Sequence, residues 1–397
     1  MDKKPEKLVP EVRFKGFTDD WEQRKLGEIS KRVRNNDGRM NLPLLTISAR
    51  YGWMTQQSRF SASIAGREKK NYTLLKKHQL SYNHGNSKVA IYGTVYELTN
   101  YDEALVPKVY HSFSLTPENS SKFIESYFHT KKLDAQLRKF IASTARMDGL
   151  LNISFDDFMK VKLFAPEQCE QSKISRIINL IEKLITLQQR KLEILIKLKR
   201  SFLTKSMANS LDKNPELYFN SASVKWLKQK LSDLTIKEFK GNTKLNDTKP
   251  GKTEYLDAER LNGNVPLFID KPINTLKSDI LILWDGSKAG SVYYGFEGSL
   301  GSTLKAIRLN PKLVNSFFVY QQLKSKQDVI FNKYRTPNIP QVIKNFTKVY
   351  PIYFPSMAVQ NKIARFLGNL DTLIEIQQKS IKDHKVIKKY LLQKLFI

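Results

Sequence analysis

The chain has 397 residues, enough for two or three domains, and its 41% hydrophobic content suffices for ordinary globular cores. Lys and Arg number 67 against 38 Asp and Glu, and the resulting net charge of +29 indicates a polyanionic partner, nucleic acid first of all. A single cysteine excludes an internal disulfide and a cysteine-based zinc site, and five scattered histidines lack ligand spacing, so we expect no metal.

An anionic membrane surface is the alternative polyanion. No apolar run approaches the roughly 20 residues needed to span a bilayer, and the opening MDKKPEKLVPEV lacks the apolar core of a signal peptide. The basic residues are also spread over both halves of the chain rather than forming one polybasic strip. We therefore expect a cytoplasmic protein that binds nucleic acid.

The first predicted domain, residues 1–165, is rich in strands and turns. Residues 41–60 predict a strand, a turn and a second strand, and residues 82–93 predict a glycine loop between strands. Because base contacts come from polar and aromatic side chains in loops, we expect DNA contacts at both tips. The candidates are Arg50, Tyr51, Trp53, Gln56 and Arg59 at the first tip, and Asn83, His84, Asn86, Ser87 and Lys88 at the second.

Residues 166–210 predict one long helix with a coiled-coil seam. One heptad position holds Ile174, Ile181, Gln188, Leu195 and Phe202, and a proline precedes the run. Gln188 either fixes the register of a buried seam or lies at the edge of the stripe in contact with water. Leu180, Leu187, Ile194 and Ile196 widen the stripe beyond one seam, which suggests additional protein partners.

The second predicted domain, residues 211–354, begins with a short linker and then repeats features of the first. WLKQKLSDLT at 226–235 matches WEQRKLGEIS at 21–30, and the loop DGSK at 285–288 matches GNSK at 85–88. Asp285, Ser287 and Lys288 are the DNA-binding candidates of this loop. Both loops are also explained as β-turns chosen for backbone geometry alone, and that alternative stays open.

A further group of candidates lies just before each long helix. Arg146 in the first domain and Arg335, Thr336 and Asn338 in the second precede or belong to the repeated Asn-Ile pairs at 152–153 and 338–339. They face the DNA backbone or, alternatively, fasten each globule to its helix.

The second predicted helix, residues 355–397, repeats the first. Residues 355–396 align without a gap to 166–207, 189 positions earlier, with twelve identities. The seam recurs at Ile363, Leu370, Gln377 and Leu391, with His384 between the last two. Since one rod of roughly 60 Å cannot bury its own apolar stripe, we expect the two helices to pack antiparallel about a pseudo-twofold axis. The predicted fold is α/β (α+β), with two globular domains separated by these helices.

No sequence motif indicates catalysis. An adenine methyltransferase needs a cofactor loop and an Asn-Pro-Pro-aromatic motif, and the nearest string, NPEL at 214–217, lacks its second proline and its aromatic residue. There is no GxGxxG and no phosphate-binding loop of the form GxxxxGK[ST]. The strings EKK at 68–70 and EFK at 238–240 are expected by chance in so lysine-rich a chain.

Three segments together resemble one known family, the specificity subunits of type I restriction-modification enzymes. They are VPEVRFKGFTDDWEQRKLGEIS at 9–30 and the paired regions at 152–185 and 338–379, and the likeness covers almost the whole chain. The resemblance implies that each domain is a target-recognition domain for one half of a bipartite double-stranded DNA site. It also implies that the helices set the spacer and dock modification subunits, two of them.

The same resemblance implies that the cofactors and the catalytic activities belong to partner subunits. S-adenosylmethionine, ATP and Mg are expected on the partner methyltransferase and on the restriction (motor-nuclease) subunits, so this chain is a noncatalytic part of a type I deoxyribonuclease and adenine-N6 methyltransferase. The family's proline, acidic residue and glutamine appear as PEQCEQ in the first copy and PSMAVQ in the second, so the two docking surfaces need not be equivalent. The alternatives are a free-standing DNA-binding regulator or architectural clamp and, less in keeping with the motifs, a self-sufficient enzyme.

Overall fold

A computed structural model of the chain describes residues 8–60, 66–85, 87–142, 150–207, 217, 226–336 and 340–397. Asn86, Arg146 and Asn338, three of the predicted DNA contacts, lie outside these residues. The chain divides into two compact units: unit 1 comprises residues 1–189 and 379–397, and unit 2 comprises residues 190–378. None of the described helices is long and apolar enough to cross a membrane.

The described part of unit 1 contains ten strands, four short helices and parts of two long helices that continue into unit 2. The strands are β1 (Glu22–Lys25), β2 (Ser30–Arg32), β3 (Leu45–Ser48), β4 (Gly52–Thr55), β5 (Thr73–Lys76), β6 (Leu80–Asn83), β7 (Thr94–Glu97), β8 (Glu103–Val106), β9 (His111–Leu115) and β10 (Lys162–Ala165). The helices are α1 (Gln56–Phe60), α2 (Ser121–His129), α3 (Asp134–Phe140), α4 (Phe155–Met159) and the long α5 (Gln168–Ser206).

The described part of unit 2 contains nine strands, four short helices and the remaining parts of the two long helices. The strands are β11 (Leu227–Lys230), β12 (Thr235–Lys240), β13 (Pro250–Leu256), β14 (Phe268–Ile269), β15 (Ile280–Leu283), β16 (Val292–Tyr293), β17 (Ser299–Leu300), β18 (Leu304–Leu309) and β19 (Pro351–Phe354). The helices are α6 (Ala258–Leu261), α7 (Ser316–Ser325), α8 (Gln327–Lys333), α9 (Phe346–Val349) and the long α10 (Met357–Lys394), which continues into unit 1.

The two units share one sheet topology. The main sheet has the strand order β2-β9-β6-β7 in unit 1 and β12-β18-β15-β16 in unit 2, with every neighbour antiparallel. A separate two-stranded sheet, β1-β10 or β11-β19, joins the start of each unit to the strand before its long helix. The match between residues 21–30 and 226–235 therefore marks the same strand and the same following 3-10 turn in both units.

Each unit has a main core and a smaller second core. In unit 1 the main core collects Trp21, Leu26 and Phe123 and includes Phe396 from the end of α10, whose ring meets Trp21 edge-on at 6.4 Å. In unit 2 its counterpart collects Leu231, Phe318 and Phe346, among others. The second core lies under β3 in unit 1 and beside β13 in unit 2, and supports the strands that carry the candidate DNA contacts.

The long helices α5 and α10 pack together within each unit and run antiparallel. In unit 1, Lys388 pairs with Glu182 at 2.7 Å, and in unit 2, Lys199 pairs with Asp371. Early residues of α5 thus meet late residues of α10, and the reverse. Glu182 and Asp371 lie 189 positions apart, as do Lys199 and Lys388, so the same ion pair is made twice, as a pseudo-twofold repeat requires. The predicted antiparallel pair is confirmed.

Candidate nucleic-acid interface

The hairpin β3-β4 of unit 1 is the most firmly fixed of the candidate surfaces. The carbonyl oxygen of Ile47 accepts hydrogen bonds from Arg59 Nη1 at 2.5 Å and from Asn83 Nδ2 at 2.9 Å, and its N–H donates to the Tyr110 hydroxyl at 3.2 Å. The Tyr96 hydroxyl donates to the carbonyl oxygen of Ala49 at 3.2 Å. These partners come from distant parts of the chain, so tertiary contacts define the hairpin's position.

Only part of the predicted contact set at this hairpin faces solvent. Trp53 Nε1 donates to the Glu97 carbonyl at 3.0 Å, and the buried Gln56 amide donates to the Tyr72 hydroxyl at 3.0 Å. Arg59 is exposed, but its guanidinium donates to the Ile47 carbonyl and the Thr46 hydroxyl. Arg50 and Tyr51 are exposed at the tip, with the Arg50 guanidinium 5.6 Å from the centre of the Tyr51 ring.

The loop after β6 also divides into internal and surface residues. His84 is buried, and its two ring nitrogens lie 2.7 Å from the Leu151 carbonyl oxygen and 2.8 Å from that of Val109. Asn83 accepts the Gly85 N–H at 3.0 Å. Ser87 is half-buried and accepts the Ala90 N–H, whereas the Lys88 side chain is exposed. Lys88 is therefore the strongest candidate for a phosphate contact in this loop.

The corresponding loop of unit 2 follows β15. Asp285 accepts a hydrogen bond from Gln341 Nε2 and pairs with Lys240 at 2.6 Å, so its carboxylate is used inside the unit. Ser287 and Lys288 are exposed. The half-buried Arg335 donates to the Ser287 carbonyl at 3.2 Å and holds the loop. Thr336 donates its N–H to the Gln341 carbonyl at 2.9 Å, which ties the segment before α10 to the loop.

The two loops occupy the same place in the two folds. Gly85 forms a β-bridge with Leu150, and Asp285 forms one with Gln341. The next residue in each partner segment donates its N–H to the residue before the loop: Leu151 to the His84 carbonyl, and Val342 to the Trp284 carbonyl. The sequence match between GNSK and DGSK therefore reflects equivalent structure, and it places Lys88 and Lys288 at equivalent loop positions.

The helix residues assigned to the seam are all buried or half-buried. Ile174, Ile363, Leu370 and Gln377 are buried, and Ile181, Gln188, Leu195, Phe202, His384 and Leu391 are half-buried. Phe202 stacks obliquely on Phe366 with ring centres 4.4 Å apart. The burial of Gln377 at 5% exposure favours a seam position over a water-exposed edge for that copy.

A pair of glutamines that the sequence analysis noted only as part of a family motif joins each globule to its long helix. Gln171 is buried, donates to the Pro166 carbonyl at 2.9 Å, and accepts the Ser120 N–H at 3.0 Å. Gln360 is buried, donates to the Pro355 carbonyl at 3.0 Å, and accepts the Asn315 N–H at 2.8 Å. Ser120 and Asn315 are the N-cap residues of α2 and α7.

The acidic residue before the first glutamine has a structural role that the second copy lacks. Glu170 is fully buried and forms two hydrogen bonds of 2.8 Å with the Arg13 guanidinium, and this partner raises the pKa of Arg13. The equivalent position in the second copy is Val359, which packs against the main core of unit 2. The two motifs differ here because Glu170 of PEQCEQ binds Arg13 in the segment of residues 8–20, whereas Val359 of PSMAVQ packs against apolar residues.

A buried charged cluster lies where α2 meets the helix pair in unit 1. Lys122 contacts both Glu125 and Glu182, and Glu182 also pairs with Lys388. Burial raises the pKa of Glu125 to about 7, whereas the two lysines keep the pKa of Glu182 below its usual value despite burial. The cluster fixes α2 against the two long helices.

Comparison with known proteins gives a consistent result. The chain is similar to the type I restriction enzyme MjaVIII specificity subunit of Methanocaldococcus jannaschii, with 31% identity over 165 residues, 41% of this chain and 39% of that protein. This alignment thus spans about two fifths of the relative. A putative type I restriction enzyme MjaX specificity subunit of the same organism is 23% identical over an alignment of 410 residues, covering 95% of this chain and 93% of that protein.

The fold is similar to that of a solved structure over nearly its full length. The crystal structure of the type-I restriction-modification system S subunit from M. genitalium matches with a TM-score of 0.68, covering 98% of this chain and 99% of that one. The sequence identity is 17%, so this likeness concerns the fold. Residues 223–383 match the family described as the type I restriction modification DNA specificity domain.

Proposed function

We propose that this chain is the DNA sequence-specificity subunit of a type I restriction-modification complex. Each unit recognises one half of a bipartite double-stranded site. The observation that carries the proposal is the equivalent placement of two similar loops, GNSK and DGSK, on two copies of one fold. The shared scaffold fits a protein that binds a two-part site, and the unlike connections β3-β4 and β13-β14 fit two different half-sites.

The charge of the chain supports DNA as the ligand. A formal net charge of +29 supplies the long-range attraction to phosphates that both specific and non-specific binding require. Arg50, Lys88 and Lys288 are exposed on hairpin or loop tips, where a duplex can reach them. Phosphate contacts by such residues position the protein, and neighbouring side chains then distinguish the bases.

Exposed apolar residues on the long helices support two modification subunits as partners. Unit 1 exposes Leu187 of α5 and Ile387 of α10, and unit 2 exposes their repeat counterparts, Ile376 and Leu198. Apolar side chains at matching positions of both units suit two copies of one partner better than two unrelated partners. We propose that the methyltransferase subunits dock on these faces and that the helices set the unread spacer.

The remaining expectations belong to the same proposal. The chain itself is noncatalytic, and S-adenosylmethionine is bound by the modification subunits, while ATP and Mg serve the restriction subunits. The assembled complex modifies adenine or cleaves DNA in the cytoplasm. The specificity subunit supplies only the choice of sequence.

Co-expression with the cognate modification subunit tests this function. We expect a complex with two modification subunits per chain by light scattering, and transfer of label from S-adenosylmethionine to DNA only when this chain is present. Leu187→Glu combined with Ile376→Glu should abolish the complex, while Lys183→Glu combined with Thr372→Glu on exposed positions of the same helices leaves it intact. A chain that elutes alone and binds DNA without a partner would instead be a regulator or clamp, and label transfer by the pure chain would make it an enzyme.

A further inference from the structure

The hairpin β3-β4 of unit 1 has a counterpart in unit 2 that the sequence does not reveal. Beside β3, Leu44 forms a parallel bridge with Leu105 of β8, and β8 leads into the central strand β9. In unit 2, β13 lies parallel to β17, which leads into the equivalent strand β18. On its other side, β3 pairs antiparallel with β4, and β13 likewise pairs antiparallel with β14. The connection from β13 to β14 is therefore the counterpart of the β3-β4 tip.

These two connections carry the most exposed large apolar side chains of their units. Among the described residues, Tyr51 is 69% exposed, the highest value in unit 1, and Val265 is 82% exposed, the highest value in unit 2. The β3-β4 tip is a tight turn, whereas the β13-β14 connection contains α6 and a longer turn. Two unlike connections thus present an apolar side chain at the same place in the fold.

The backbone that carries Tyr51 is held in place. The Ser48 hydroxyl accepts the N–H groups of Arg50 and Tyr51, both at 3.3 Å. Gly52 follows with φ at +71°, and a Cβ there would lie 3.1 Å from the Tyr96 ring. The Tyr96 hydroxyl also donates to the Ala49 carbonyl. The backbone of the tip is therefore fixed, while the Tyr51 side chain remains exposed to solvent.

The backbone that carries Val265 is held on both sides. Asn264 donates its N–H to the Glu259 carbonyl at 3.2 Å, and the Leu267 carbonyl accepts the Tyr255 N–H at 2.8 Å. Pro266 follows Val265 and restricts it to extended conformations. A side chain that is both apolar and presented on so constrained a turn is preformed for contact with a partner.

The surroundings of Tyr51 favour DNA as that partner, because the Arg50 guanidinium lies 5.6 Å from the centre of the Tyr51 ring. Near Val265, the Arg260 guanidinium lies 3.5 Å from the carbonyl oxygen of Asn264 and is paired with the Glu254 carboxylate. The major groove admits a two-stranded β-ribbon, and the thymine 5-methyl is the apolar group that base pairs display there. At the β3-β4 tip, the Tyr51 ring beside the Arg50 guanidinium combines a base contact with attraction to the phosphates.

We propose that Tyr51 and Val265 are specificity-determining residues, each packing against the 5-methyl group of a thymine in the half-site of its own unit. The proposal rests on the proposed function, in which each unit recognises one half-site. It assigns Val265 a role that its position in a short turn, NGNVPLF, does not suggest, and it distinguishes Tyr51, a base contact, from Arg50, a phosphate contact.

Replacing thymine by uracil tests the contact directly because only the 5-methyl group is lost. We measure binding of the complex with its modification subunits to its site, with each thymine replaced in turn. One replacement in each half-site should weaken binding about fourfold, as expected for one buried methyl group. Tyr51→Ala should abolish the sensitivity in one half-site only, and Val265→Ala in the other only.

The salt dependence and the control variants sharpen the test. Tyr51→Ala and Val265→Ala should leave the slope of log affinity against log salt unchanged, because neither removes a charge, whereas Arg50→Ala should reduce it. Met40→Ala and Ile236→Ala, which remove exposed apolar side chains elsewhere in the same units, should preserve the uracil sensitivity. All four apolar positions are exposed, so the variants are expected to fold, and thermal unfolding checks this.

The outcomes separate this proposal from the proposed function. If the wild-type complex binds its bipartite site but uracil is tolerated at every thymine, or both variants keep the wild-type sensitivity, the methyl contact is overturned and the function stands. If the complex shows no sequence preference, the proposed function fails, and the methyl contact fails with it.

Discussion

Lys88 and Lys288 occupy equivalent loops, and both side chains are exposed cations. Replacing either with Ala should weaken DNA binding and lower the slope of log affinity against log salt by about one unit, because one phosphate contact is lost. Binding measured across a salt series checks this. Lys160→Ala is the control, since that ammonium is already paired with Asp157 at 2.8 Å, and an unchanged slope in the two loop variants would remove them from the interface.

The half-buried histidines His111 and His129 make unit 1 sensitive to acid. Burial lowers the pKa of each to about 4 from an ordinary value of 6.5. As pH falls below 6.5, these histidines are protonated in the unfolded chain before they are protonated in the folded chain. The free energy of unfolding therefore decreases between pH 6.5 and 4, by roughly 3 kcal/mol for His129 alone. Glu125 acts oppositely: its pKa is raised to about 7, so its contribution to stability grows as pH falls through 7 towards 4.5.

Single substitutions separate these opposing effects. His129→Gln should make the free energy of unfolding depend less steeply on pH between 6.5 and 4, and Glu125→Gln should make it depend more steeply. Urea unfolding at several pH values measures both slopes. Parallel curves for the wild type and both variants would show that neither group differs in pKa between the folded and unfolded chain.

At the level of secondary-structure elements, Gln171 and Gln360 each connect a long helix to a short helix of its globule through hydrogen bonds. Gln171→Ala or Gln360→Ala leaves a buried carbonyl and the N–H of an N-cap residue without their partner, so we expect a loss of about 2–4 kcal/mol in the free energy of unfolding. Gln168→Ala is the matched control: that side chain is exposed and donates one hydrogen bond, to the Pro117 carbonyl. Denaturant titration compares the three, and equal losses for Gln168 and Gln171 would contradict the role of the buried amide.

The elements themselves were largely predictable from local sequence. The heptad positions of the two long helices, the Pro residues before them and the repeated segments at 21–30 and 226–235 all correspond to elements in the structure. The helix pairing followed from an apolar stripe that one helix cannot bury alone. These features depend on spacing within one segment, which the sequence displays.

The site was predictable only in part, because tertiary contacts decide which of the predicted residues are exposed and which are bonded inside the unit. Nothing near Asn83 in sequence indicates that its amide bonds the Ile47 carbonyl, or that His84 lies between Leu151 and Val109. The same holds for Asp285, whose partners Lys240 and Gln341 are 45 and 56 positions away. The polarity of the loops predicted all of these residues as contacts. Of the predicted contacts that the structure describes, the packing leaves six exposed, and one of them, Arg59, is bonded within the unit. The other five are Arg50, Tyr51, Lys88, Ser287 and Lys288.

For the molecule as a whole, the repeat is the feature that matters for function. Glu182 with Lys388 and Asp371 with Lys199 form the same ion pair twice, and the same glutamine joint closes each unit. The parts that repeat are this ion pair and this glutamine contact. The parts that differ are the tips, the β3-β4 turn and the longer β13-β14 connection, where two distinct half-sites would be distinguished.

The most direct test of this two-unit assignment is to sequence the methylated adenines of cells that carry the modification subunit. The comparison includes the wild-type chain, no chain, and a hybrid in which residues 227–354 come from a relative with a different site. We expect a bipartite methylated sequence that disappears without the chain and changes in one half only in the hybrid, with the spacer kept. Methylation that is independent of the chain, or a hybrid that alters both halves, would contradict the assignment.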